Sequence, residues 1–107
     1  MVNVIEKVEN DSEFIEVCKK YKIICIPQPT IIFSRVAEIL YKKNEDAKYA
    51  ICDSDARIEL VRYEDKTELY NYCKKKKFET IAFVNKNGGG KMGTLEQWLE
   101  EENEGNP

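Results

Sequence analysis

Apolar residues in this chain fall into short runs separated by stretches of helical period, and that alternation leaves few architectures open to it. Val2 to Val8 reads as a short strand. Asn10-Asp11-Ser12-Glu13 is a capping-box start to a helix whose inner face carries Phe14, Cys18 and Tyr21, with Ile15 beside them. Lys22-Ile23-Ile24-Cys25-Ile26 is a continuous apolar run after its lysine, and it predicts a central strand buried on both faces, stopped by Pro27-Gln28-Pro29. A second helix is predicted from about Thr30 or Ile31 to Lys43, with Ile32, Val36, Ile39 and Leu40 as its buried stripe and Pro29 at its entry.

Further along, Tyr49 to Cys52 reads as a third strand closed by Asp53-Ser54-Asp55, and the alternation from Arg57 to Tyr63 favours another. Asp65-Lys66-Thr67-Glu68 opens a helix with Leu69, Tyr72 and Cys73 inward, ending in Lys74 to Lys77. Thr80 to Val84 is a strand, Asn87-Gly88 a tight turn, and Gly88 to Met92 its antiparallel return. Thr94-Leu95-Glu96-Gln97 caps a last helix with Leu95, Trp98 and Leu99 apolar, and from Glu100 an acidic tail frays. The order predicts one α/β domain over residues 1–107, built on a mixed sheet with a parallel portion, an antiparallel edge and helices on both faces.

Composition removes several kinds of chemistry. The chain has no histidine, which excludes Ser-His and Cys-His nucleophiles, histidine acid–base work and histidine metal ligation. Zinc would have to be held by Cys and carboxylate ligands without any Cys-x-x-Cys knuckle, so no metal and no cofactor is expected. Seventeen Lys+Arg stand against 20 Asp+Glu, and a net charge of −3 argues against nucleic acid as a partner. No apolar run approaches the roughly 20 residues that span a bilayer, and Met1-Val2-Asn3-Val4-Ile5-Glu6 does not read as a secretory signal. The expected setting is the cytoplasm, with Cys18, Cys25, Cys52 and Cys73 reduced and mostly buried.

The predicted order resembles the thioredoxin fold. A strand, a helix, the run Ile23 to Ile26, a loop, a long helix and the strand ending Asp53-Ser54-Asp55 follow its first half, and Ile81 to Glu101 looks like its ending. Ala56 to Glu64 is longer than thioredoxin has there and is closer to a glutaredoxin-like arrangement. Two motifs of that family are missing. The place of its Cys-x-x-Cys holds Thr30-Ile31-Ile32-Phe33, and the place of its cis-proline holds Glu79-Thr80-Ile81. The resemblance therefore implies the scaffold without its dithiol chemistry, since threonine cannot exchange disulfides.

Candidate binding residues follow from that frame. In a thioredoxin-like protein Pro27, Gln28, Pro29 and Thr30 would meet a partner near Thr80, although the same residues also serve as a stiff strand-to-helix turn with a helix cap. Lys74, Lys75, Lys76 and Lys77, with Tyr70, Tyr72 and Phe78 nearby, form a second candidate for an acidic partner or nucleic acid, against the plainer reading of lysines favoured at a helix C-terminus. Asn87 to Lys91 lacks the spacing of a phosphate loop, and Asp53 with Asp55 is too few ligands for a cation. The function expected is a non-catalytic protein-binding module, adaptor or inhibitor whose partner is another protein. The alternative is an atypical thiol oxidoreductase or glutaredoxin-like enzyme using a single cysteine, Cys25 or Cys52.

Overall fold

The computed structural model describes residues 1–87 and 89–104, the side chains of residues 101–104 excepted. Its elements are β1 (Asn3–Val8), α1 (Asp11–Lys20), α2 (Pro29–Lys43), β2 (Lys48–Ser54), β3 (Arg57–Tyr63), α3 (Lys66–Lys76), β4 (Thr80–Val84), β5 (Gly90–Thr94) and α4 (Leu95–Glu104). The strands form one sheet in the order β1-β3-β2-β4-β5. The predicted turn residue Gly88 lies outside the described residues, as do residues 105–107 of the predicted tail; α4 carries helical backbone through Glu104, past the predicted fraying point.

Every pairing in the sheet is antiparallel, which corrects the mixed sheet predicted above. The reason is the segment Ile23–Ile26, which forms no strand. The chain passes from α1 to α2 without returning to the sheet, so the crossover that would make a parallel neighbour never occurs. Both sides of β2 are instead taken by β3 and β4. β2 and β3 form a hairpin, Ser54 opposite Arg57, with Asp55 in the left-handed region at φ 39°, which suits the twist of a two-residue turn.

Alternation along the strands divides the interior into two cores. Tyr49, Ile51, Leu60 and Val84 face α1 and α2, whose Val17, Cys18, Ile32, Phe33, Val36 and Ala37 cover them. Ala50, Cys52, Val61, Tyr63 and Ile81 face the other way, under Leu69 and Cys73 of α3 and Leu95 and Trp98 of α4. Helices thus cover both faces, as predicted. Each fully buried aliphatic or aromatic side chain contributes about 1.5–3 kcal/mol, so a two-sided sheet gives a short chain two sets of such contacts.

Local signals fix the helix starts. Asn10 Oδ1 accepts from Glu13 N at 3.0 Å, and Thr94 with Gln97 makes a reciprocal capping box at 3.1 Å in each direction. Asp65 Oδ1 accepts from Thr67 N at 3.3 Å. At α2 the predicted cap at Thr30 is corrected: the helix begins at Pro29, Gln28 holds the cap position without a side-chain bond, and Thr30 is already helical. Proline at the first helical position supplies the start instead, its φ being fixed near the helical value.

Candidate functional site

The connection between α1 and α2 is where the chain spends apolar residues on solvent. α1 closes when Lys22 turns into the left-handed region at φ 56° and Ile23 N donates to Cys18 O at 2.9 Å. Beyond that closure residues 23–26 belong to no helix or strand, the chain bends at Pro27, and Gln28 is extended. Ile24, Cys25 and Ile26 make no backbone hydrogen bond among the described residues. Ile23 and Ile26 turn inward onto the first core, whereas Ile24 is 85% exposed. The predicted buried strand is therefore an uncovered strap: two side chains anchor it, and Ile24 faces water.

Beside the strap runs a groove of about 500 Å³ whose walls include Tyr21, Ile24, Ile26 and Ile39. Lys22, Arg35 and Lys42 rim it against a single acid, Glu38. Burial, with the Glu6 carboxylate beside it, pushes the Tyr21 phenol up to about 12, so Tyr21 lines the groove as a neutral donor. Lys20 pairs with that carboxylate at 2.8 Å.

The sequence-predicted residues divide between this groove and other places. Pro27 and Gln28 continue the strap and are exposed. Thr30 lines a different, shallow cavity of about 260 Å³ with Ser34, Ala82, Val84, Gly90 and Met92. This brings the start of α2 to the Val84 end of β4. Thr80 sits at the other end of that strand, donating to Asp53 O at 3.5 Å. Pro29 is half-buried at the helix start.

The lysine run stays exposed, and parts of it contact neighbouring groups. Lys74 Nζ pairs with Glu96 Oε1 at 2.8 Å, and this contact raises the Lys74 pKa and lowers that of Glu96. Lys76 lies over the Tyr72 ring, and its carbonyl accepts from Arg57 Nη2 at 2.6 Å. Lys77 takes the left-handed cap at φ 63°, and Lys75 is exposed. Lys42 and Lys43 do not extend this patch, because α2 and α3 lie on opposite faces.

All four cysteines are free; three are buried, but Cys25 is exposed on the strap, a correction to the expected burial of all four. Burial pushes the Cys18 thiol up to about 11, with the adjacent Cys25 thiol adding to the effect. Two others meet in the second core, where Cys52 Sγ and Cys73 Sγ are 3.3 Å apart. Directly across the ladder from Cys52 stands Glu59, a buried carboxylate that accepts a hydrogen bond from the Tyr72 hydroxyl. Neither meeting is visible as a sequence motif, since helix packing alone brings Cys73 over β2. Among the described residues no three Cys, Asp or Glu side chains cluster as metal ligands, and no helix is long and apolar enough to cross a membrane. Comparison with family models, with curated proteins and with solved structures found no match.

Proposed function

We propose that this chain is a protein-binding module that takes an extended, acidic and apolar peptide along the Ile23–Ile26 strap. The observation that carries this reading is an apolar segment whose residues 24–26 make no backbone hydrogen bond among the described residues, beside a basic-rimmed groove. A partner strand laid on such a segment gains main-chain hydrogen bonds, and alternate side chains enter the groove. Ile24 supplies the apolar contact, and Lys22, Arg35 and Lys42 favour acidic side chains. The strap is held between the left-handed closure at Lys22 and Pro27, so little order is lost on binding.

The reading includes a reducing compartment such as the cytoplasm, which four free thiols support. A thioredoxin-like scaffold remains part of the proposal, supported by the hairpin β4–β5 followed by α4. The alternative of single-cysteine chemistry rests on Cys25, the exposed thiol; rapid modification of Cys25 at mildly acidic pH would favour it.

The test uses a short labelled peptide of alternating Glu and Val, with a Lys and Val peptide as control, read by fluorescence anisotropy. Ile24→Lys, on an exposed position, should weaken binding of the acidic peptide by roughly tenfold or more. Reversing Arg35 and Lys42 to Glu should weaken it and flatten its salt dependence, whereas reversing Lys74 and Lys75 should change little. Unchanged binding by the Ile24→Lys protein, or preference for the basic peptide, would overturn the proposal. So would concentration-dependent self-association lost with Ile24→Lys, since the groove would then hold a second copy.

A further inference from the structure

The core contact between Cys52 and Cys73 is unused by the binding reading and independent of it. Cys52 lies on the middle strand of the sheet, paired on both sides, so its position is among the firmest in the fold. Cys73 lies on α3, whose fully seated residues are Leu69 and Cys73 alone. Both thiols are 0% exposed. Their sulfurs stand 3.3 Å apart, so closing to a bond of about 2.05 Å asks for a small inward shift of one helix.

We propose that Cys52 and Cys73 are a latent cross-link, which a small hydroperoxide closes into a disulfide that staples α3 to the centre of the sheet. In the closed fold the pair is quiet. The neighbouring Cys73 thiol and burial hold Cys52 well above its usual pKa, the Glu59 carboxylate adding to this, and the thiolate is the reacting form. Reaction therefore proceeds through brief lifting of α3, a helix that seats only Leu69 and Cys73 fully in the core. One thiolate then attacks a peroxide oxygen and breaks the O–O bond, giving a sulfenic acid and, from hydrogen peroxide, water. The second thiol attacks the sulfenic sulfur and expels a second water. Two thiols lose two electrons and two protons, and one peroxide becomes two waters. Re-seating of α3 brings the second sulfur to the first, which favours the cross-link over further oxidation.

The staple closes a loop between residues 52 and 73, and a loop of that length should raise the melting temperature by roughly 10 °C or more. The test uses the full chain with Cys18→Ala and Cys25→Ala, which leaves the core pair alone. After treatment with hydrogen peroxide, its intact mass should fall by two hydrogens, its melting temperature should rise, and dithiothreitol should reverse both. With Cys73→Ala added, the mass loss should vanish. Peptide mapping of the oxidised natural sequence gives a readout that needs no variant: the Cys52 peptide should be joined to the Cys73 peptide. Oxygen addition without cross-linking, Cys18 joined to Cys25 with Cys52 and Cys73 still free, or a cross-link that lowers the melting temperature would each overturn the proposal.

Discussion

At the scale of single residues, Tyr41 ties α2 to two strands. Its hydroxyl donates to Val84 O at 2.7 Å and accepts from Tyr49 N at 3.4 Å, and its ring meets that of Tyr49 edge-on at 4.7 Å. Tyr41→Phe would leave a buried carbonyl and amide without that partner, and urea unfolding should report a loss of about 1–3 kcal/mol. Asp53 behaves in the opposite way. Burial, then the nearby Asp55 and Glu79, raise its pKa above the ordinary carboxylate value. The folded state then holds the proton more tightly than the unfolded one. The resulting stability is present below the unfolded pKa and lost as pH rises through the raised folded value. Asp53→Asn should therefore raise the melting temperature at neutral pH, with the gain disappearing near about pH 3, where both states are protonated. The sequence could place Asp53 at a strand end, but not the acids that the fold brings around it.

At the scale of elements, the β4–β5 hairpin turns on a glycine. A Cβ on Gly90 would fall 1.5 Å from the Phe83 carbonyl oxygen, whereas at Gly89 the nearest atom is 3.7 Å away. Gly90→Ala should cost about 3 kcal/mol and loosen the hairpin from α4, while Gly89→Ala should be tolerated; thermal melts of the two variants make the comparison. Most element boundaries were legible because caps, prolines and apolar periods agree locally, as at Asn10, Pro29 and Thr94. Ile23–Ile26 was misread for a specific reason. Hydropathy registers how apolar a run is, not whether a ladder partner exists for it, and here β3 and β4 already occupy both sides of β2. The candidate site was half legible on the same grounds: Pro27 and Gln28 belong to the strap, but Arg35 and Lys42 of its basic rim come from α2, about two and four turns further on.

At the scale of the whole molecule, one sheet serves two cores, so damage to either face should be felt by both. Leu60 in the first core and Leu69 in the second are each 0% exposed. Leu60→Ala and Leu69→Ala should each cost about 2–5 kcal/mol, and the double variant about their sum. Trp98 fluorescence and far-ultraviolet circular dichroism should then trace one coincident denaturation curve for each variant, and separated curves would mean that the faces melt independently. The strand order carries a further consequence for how the chain is made. β1 borders β3 alone, with Asn3 opposite Arg62. On a ribosome adding roughly 5–20 residues per second, β1 waits on the order of several seconds for β3 to be synthesised. Throughout that wait Val4, Ile5 and Val8 have no sheet to join, while α1 and α2 can already coil locally behind them. Of these strands β1 is thus the one left longest without its neighbour, and the one a holding chaperone would cover until β3 is made.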